Sequence, residues 1–366
     1  MEKVNLIFFI PEFIKGGAGN SVFSLVKNLD KRKYSINIIC LGKCHYKYEI
    51  SNYAKIYELK YERTIFAQKK LSYIIKKITF KYRKNIFISN FFYVNVLISL
   101  FQKNKKNLKY IFTERTTLTE LYTYFGAIDF LKKLIIKILV KLFYKKAYLI
   151  ISNSKKVSKE IQQFTSAKSI YIYPGSYKNV KYKKKYHKDK KLNIIWVGRL
   201  SEEKGIEDVL NALNELKKDK YLLNIVGEGK KKKQIRNLIK TKKLNNNVKL
   251  HGFKKDIPFI LKKSDLLINT SYFEGFPNVV VEALTYQVPV ICSKSGGGVF
   301  EILKNGKYGD LYEKGDVDLL KMKIENHMKN PQRLVSKSIL GSKDLKRFSE
   351  KVSTKKYEKL FDSIKF

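Results

Sequence analysis

Two acids, Glu274 and Glu282, bracket a Gly-Phe-Pro-Asn turn in the stretch Ser271-Tyr-Phe-Glu-Gly-Phe-Pro-Asn-Val-Val-Val-Glu282. The apolar strand Asp265 to Asn269 precedes the first acid, and a helix-like run carries the second. Pro277 suits the first helical position, where its missing N–H costs nothing, and the N–H groups of Asn278, Val279 and Val280 are then left without helical partners. A helix end of this kind attracts anions. Glu274 would stand in front of the anion, and Glu282, one to two turns on, would reach hydroxyls beside it. The chemistry that fits is a ligand with both phosphate and sugar hydroxyls. Two isolated glutamates would more often be a loop acid and a solvated helix acid, so the neighbouring motifs decide.

A second anion-type constellation lies upstream. The strand Leu192-Asn-Ile-Ile-Trp-Val-Gly198 ends in Arg199-Leu-Ser-Glu-Glu-Lys204-Gly205, which leads into a helix near Ile206. Cations at a strand end beside a helix start form an anion clamp. Arg199 brings a planar fork and Lys204 a point charge, and together they could neutralise a diphosphate leaving group. A lone lysine means little in so basic a chain; Gly198, Arg199 and Gly205 sharpen the assignment.

The elements that must position these residues read as alternating strands and helices. In the first half Val4 to Ile10 is a buried strand, Gly16 to Gly19 a glycine loop, Ser21 to Leu29 a helix and Ser35 to Leu41 a strand, with further strands at Lys109 to Thr113 and Tyr148 to Asn153. The lysine-rich run 178–191 has no apolar periodicity and reads as an exposed connection. Beyond it, Tyr221 to Val226, Val248 to His251, Asp265 to Asn269 and Val288 to Ser293 are strands with helices between. A parallel α/β pattern in both halves, over 366 residues with 44% hydrophobic content, predicts two domains.

In order, Val197-Gly-Arg-Leu with Lys204-Gly205, Val226-Gly-Glu-Gly229, His251-Gly-Phe253, the Glu274/Glu282 segment, and Val288-Pro-Val-Ile with Gly296-Gly297 resemble the motifs of the retaining GT-B glycosyltransferases of family 4. Gly16-Gly17-Ala18 resembles that family's N-terminal glycine loop. The pattern departs from many relatives at Gly19-Asn20, where they carry an acidic-basic pair. Thr113-Glu114-Arg115-Thr116 stands roughly where some relatives carry a histidine, and it is similar to a Ser-Glu-Arg variant.

The resemblance implies two Rossmann-like domains, 1–177 and 192–345, facing across a cleft, joined by the linker 178–191, with a C-terminal helix within 346–366 crossing back to the first. It implies a nucleotide-diphosphate sugar, a UDP-sugar, as donor, no cofactor, and retention at the anomeric carbon. Arg199, Lys204 and the amides near Val279 would stabilise the departing diphosphate. Glu274 would set the pose of the transferred sugar and Glu282 would accept from the ribose. Gly16, Gly17, Phe253, Gly275, Phe276 and Asn278 complete the expected donor site. Glu114 is the candidate general base, and Arg115 has no assigned role. The expected acceptor is a glycan or a polyprenyl-linked glycan in cell-surface polysaccharide, O-antigen or lipopolysaccharide assembly. A soluble disaccharide synthase of the same fold is the alternative within enzymes, and a non-catalytic basic binder of nucleotide or nucleic acid is the alternative outside them.

The net charge of +44 fits nucleic acid, an anionic membrane surface, or a composition rich in lysine throughout. No nucleic-acid module is present and the cations are scattered, which argues against the first. From Ile128 to Tyr144 a helical wheel sets Lys133, Lys137 and Lys141 on one stripe, opposite Leu131, Leu134, Ile135, Ile138, Leu139 and Leu142. Ile136, Val140 and Phe143 widen the apolar arc beyond the ~100° that core packing requires, so part of it is expected to face the bilayer interface, a partner or the other helices of the first domain. Phe66 to Tyr82 repeats the theme more weakly.

The uncharged run Asn85 to Gln102 reaches the lower edge of spanning length but holds too many polar groups, so strand plus helix is expected. The protein is expected in the cytoplasm, peripheral on the cytoplasmic face of the inner membrane. Cys40 and Cys44 are read as structural or incidental thiols. Asp316-Val-Asp318 resembles an acidic metal-holding pair, but its place after Gly315 favours a helix cap. No metal site is expected.

Overall fold

The computed structural model describes residues 2–13, 16–102, 104–180, 182 and 191–366. The chain divides into two units: unit 1 holds Met1–Gly175 and Phe348–Phe366, and unit 2 holds Ser176–Arg347. Most of the expected linker 178–191 lies outside the described residues.

Unit 1 is a seven-stranded parallel sheet of β1 (Val4–Phe9), β2 (Tyr34–Cys40), β3 (Lys55–Glu58), β4 (Asn85–Asn90), β5 (Leu108–Glu114), β6 (Leu149–Ser152) and β7 (Ser169–Tyr171), in the order β3-β2-β1-β4-β5-β6-β7. Its strands are apolar on both faces because helices cover both. In β1, Leu6 and Phe8 enter one apolar cluster and Ile7 and Phe9 the other, as the two-residue period of a strand requires.

The segment with near-spanning length resolves into β4 and the helix Phe92–Phe101, as expected. No helix among the described residues is long and apolar enough to cross a membrane. The C-terminal helix Glu350–Asp362, capped by Ser349, returns to unit 1. There Glu358 accepts from the Asp30 amide at 3.0 Å, Asp362 accepts from the Tyr34 hydroxyl at 2.5 Å, and Phe361 enters the core.

Unit 2 is a six-stranded parallel sheet of β8 (Leu192–Val197), β9 (Tyr221–Val226), β10 (Val248–Leu250), β11 (Leu266–Asn269), β12 (Val290–Ser293) and β13 (Asp310–Tyr312), in the order β10-β9-β8-β11-β12-β13. Two Rossmann-like parallel sheets in one chain are the architecture the motifs imply.

Two expectations are corrected. The glycine segment is not a loop throughout: the helix Gly17–Asn28 starts four residues earlier than expected, with Gly16 as its extended N-cap. Pro277 is the N-cap, not the first helical residue, of Asn278–Thr285. The helix Ala127–Phe143 forms as expected, and part of its wide apolar arc faces away from the core. Lys133 is buried, its ammonium on Asp129 at 2.7 Å and on the Thr123 carbonyl at 2.7 Å, while Leu131, Ile135, Ile138 and Leu142 are exposed. By contrast, the helix Gln68–Thr79 turns Leu71, Ile75 and Ile78 into the core.

Candidate active site

In unit 2 the chain order reverses between β8 and β11, so the loops leaving these neighbouring strands open a crevice at a topological switch point. The loop after β8 carries Arg199 and Lys204, and the loop after β11 carries Glu274. Side chains and backbone lock the two together. The Trp196 indole N–H donates to the Thr270 hydroxyl at 3.0 Å, which itself donates to the Lys204 carbonyl at 2.7 Å. The Tyr272 amide donates to the Glu203 carbonyl at 2.8 Å, and the Tyr272 hydroxyl donates to Asp208 at 3.0 Å. Gly205 sits at φ +56°, where an added Cβ would lie 2.5 Å from the Thr270 carbonyl oxygen, so no other residue fits this crossing.

Lys204 Nζ and Glu274 Oε2 form an ion pair, each side chain about one-fifth exposed. The Ser271 hydroxyl donates to the same carboxylate oxygen at 3.2 Å. Lys204 and Glu274 were assigned different parts of the ligand, and the structure brings them into direct contact. A third loop, after β12, supports them from behind: the Glu274 amide donates to the Ser295 carbonyl at 3.3 Å, and the Gly298 amide to the Gly275 carbonyl at 2.7 Å. Arg199 is exposed, and its guanidinium has no hydrogen-bond or ion-pair partner among the described residues. With Lys204 neutralised by Glu274, Arg199 is the uncompensated cation of the two.

The helix Asn278–Thr285 offers fewer free amides than its sequence suggests. Val280 donates to the Pro277 carbonyl at 3.0 Å, tightening the first turn, which leaves the N–H groups of Asn278 and Val279. The Asn278 side-chain oxygen is buried beside them without a partner among the described residues. Glu282 is half-buried rather than a solvated helix acid; burial pushes its carboxyl up to about 7, against a downward pull from Lys178.

The remaining expected donor residues divide. Gly275 is buried and holds the third loop. Phe276 is buried, 5% exposed, its ring against Gly298 so closely that a Cβ there would meet it at 2.4 Å. Phe253 follows edge strand β10 and is half-exposed, separated from β8 by β9, and no contact ties it to Lys204 or Glu274. Gly16 and Gly17 belong to unit 1, where they open the helix after β1.

Glu114 is fully buried in unit 1, receiving the Tyr144 hydroxyl and the Asn95 amide (2.6 Å) on one oxygen. Burial outweighs these bonds and raises its carboxyl to about 8, so it is protonated at neutral pH. A neutral, buried acid is poorly placed to take a proton from an acceptor. Arg115 donates from Nε to Asn90 at 3.0 Å, and Arg115 and Glu114 both line a cavity of about 20 Å³, room for one water. Asp316 caps the helix Val317–Lys329 by accepting from the Leu319 amide at 2.9 Å, as expected. Cys40 and Cys44 are free and buried in the unit 1 core.

The residues that sequence reasoning did not assign are Ser271, Ser295 and the Gly297-Gly298 pair, which hold Glu274 in place. Gly297 at φ +52° would put a Cβ 2.1 Å from the Glu274 carbonyl oxygen. The triple glycine Gly296-Gly297-Gly298 after a buried strand was the available signal.

The sequence matches the family model Glycosyltransferase Family 4 over residues 15–176 and the model Glycosyl transferases group 1 over residues 178–350. A relative from Methanocaldococcus jannaschii, an uncharacterized glycosyltransferase, is 31% identical over 64% of this chain and 61% of its own. A Campylobacter jejuni protein, N-acetylgalactosamine-N,N'-diacetylbacillosaminyl-diphospho-undecaprenol 4-alpha-N-acetylgalactosaminyltransferase, is 29% identical over 49% of this chain and 50% of its own. The matched stretches thus span about half to three-fifths of these curated relatives. The solved structure of Anabaena HepE in complex with UDP and glucose superposes over all of both chains with a TM-score of 0.77 at 17% identity, a likeness of fold.

Proposed function

The chain belongs to the glycosyltransferases of family 4 and group 1, and from that premise we propose that it is a retaining, metal-independent transferase moving a hexose or N-acetylhexosamine from a UDP-sugar to a glycan or polyprenyl-linked acceptor. The observation that carries the reading is the group at the β8/β11 switch point: an unpaired Arg199, the Lys204–Glu274 pair, and two bare amides at a helix start. HepE, of the same fold, is solved with UDP and glucose, and the Campylobacter relative is named for a diphospho-undecaprenol acceptor.

In this reading the diphosphate lies on the Asn278 and Val279 amides with Arg199 beside it. The sugar's hydroxyls donate to Glu274, which loosens its hold on Lys204 and turns the ammonium to the phosphate oxygens. The pair therefore serves as a preorganised store of charge, held by Ser271 until a donor arrives. As the anomeric carbon–oxygen bond breaks, negative charge grows on the diphosphate, where Arg199, Lys204 and the amides stabilise it without a metal ion. The acceptor oxygen attacks from the face the diphosphate leaves, and its proton passes to the departing phosphate oxygen. That route needs no side-chain base, consistent with the burial of Glu114. Phe253 is assigned to the base of the nucleotide and Glu282 to its ribose.

The test is turnover of a panel of nucleotide sugars in the presence of a chelator, with the product's anomeric configuration read by NMR. Release of nucleoside diphosphate that survives chelation, with the donor's configuration kept, is expected. Inversion, or activity abolished by chelation, overturns the mechanism.

A further inference from the structure

The helix Ala127–Phe143 carries its apolar stripe on the outside. Ile128, Leu131, Ile135, Ile138 and Leu142 follow one another at alternating steps of three and four residues and are 50–87% exposed. That spacing keeps five large side chains on one line along about 21 Å of helix. The opposite side faces the core through Lys133 and Val140, with Ile136 and Leu139 packed against the same cluster. Lys133 is accommodated there by Asp129, the Thr123 carbonyl and the Phe125 ring, 5.2 Å from the ammonium. The inversion is therefore built: a cation is buried with three partners while five apolar side chains stay in water. Tyr122, Phe125 and Phe130 extend the exposed surface at the helix's N-terminal end.

We infer that this face is an interaction surface for an anionic phospholipid bilayer, lying in the headgroup plane with the stripe inserted between acyl chains. Charge selects this occupant over a second copy of the chain. The stripe is flanked by the exposed lysines Lys132, Lys141, Lys145 and Lys146. The helix's only acid, Asp129, is taken up by Lys133. Pairing two such helices along the stripe would set lysine against lysine or leucine with no acid to answer it, whereas anionic headgroups supply that acid at every flank. Aromatic side chains at one end match the amphipathic belt of a membrane interface. The inference concerns unit 1 alone and is independent of the donor chemistry.

The experiment is co-sedimentation of the full chain, without donor or acceptor, with vesicles of phosphatidylcholine alone and of phosphatidylcholine with phosphatidylglycerol. Binding to the anionic vesicles at low salt, weaker at high salt and absent from neutral vesicles, is expected. An Ile135→Asp/Ile138→Asp variant, altered only at exposed positions, should keep its circular dichroism and lose at least ~10-fold in vesicle partition. Ile138→Trp should shift its emission to the blue on anionic vesicles; the one native tryptophan, Trp196, is buried. No binding, equal binding to neutral vesicles, or binding that the double variant leaves intact overturns the inference. So does a dimer in solution that the double variant dissociates, which would make a second copy the occupant.

Discussion

Lys204→Ala is expected to lower kcat by ~10²–10³ with a smaller change in KM, the loss that follows removal of one group stabilising charge in a transition state. Lys204 matters most when the diphosphate departs, because in the resting protein its charge is spent on Glu274. Glu274→Ala should fall by a comparable factor for a different reason: the sugar loses its anchor and Lys204 is held by nothing but solvent and phosphate. Because the two side chains form one unit, the double variant should be little worse than either single one. Neither side chain belongs to the apolar cluster of unit 2, so neither substitution should unfold the chain. Steady-state kinetics on the three variants, with circular dichroism as the folding control, measures all of this; full activity in both single variants would remove the pair from the site.

Gly297→Ala should be costly in stability and activity together. The backbone there is left-handed, and the new Cβ would stand 2.1 Å from the Glu274 carbonyl oxygen and 2.4 Å from that of Gly275. Both obstacles are backbone atoms of the loop that carries Glu274, so they cannot rotate away as a side-chain end would. A loss of about 2–4 kcal/mol is expected, from the strained φ and the forced shift of the loop. For a unit of this size that corresponds to a fall of roughly 5–15 °C in the melting point. The substitution touches no ligand, yet it should weaken donor binding because Glu274 moves with the loop. A variant that melts and turns over like the parent would mean that the loop after β12 does not support the site.

The parallel sheets were legible because their strands are runs of β-branched and aromatic residues bounded by glycine and charge; β9 has the limits its sequence predicts. The edge strands β7 and β13 were not, being three residues each. β13 opens on Asp310, a buried acid paired with Arg333 and with Lys337 at 2.8 Å, a type that argues against a strand until its partners are known. The helix Ala127–Phe143 was legible as an element, and its apolar arc as one too wide for the core alone; the burial of Lys133 was not legible. Periodicity finds the stripes, but which lysine turns inward depends on the three partners that Lys133 meets there.

At the candidate site the residue types were legible and their pairing was not. Lys204 and Glu274 are 70 residues apart in sequence, and only the adjacency of β8 and β11 joins them. Glu114 shows the same limit in reverse: its motif marked it for catalysis, and the helix residue Asn95 with Tyr144 seals it into the core.

The most direct test of the donor site is calorimetric titration of UDP across pH, in the native protein and in Glu282→Gln. The free Glu282 carboxyl titrates near about 7, raised by burial. Ribose hydroxyls donate to the ionised form, so binding draws the proton off: affinity should rise as pH climbs through about 7, level off above it, and be weakest in acid. The same group makes the opposite contribution to folding, since a raised carboxyl stabilises the fold below its unfolded value and loses that as pH rises through about 7. In Glu282→Gln, UDP should bind at least ~10-fold more weakly, with the step at pH 7 gone and only the phosphate's own titration left. Equal affinities and superimposable pH profiles in the two proteins would contradict the assignment of Glu282 to the ribose and, with it, the placement of the donor on unit 2.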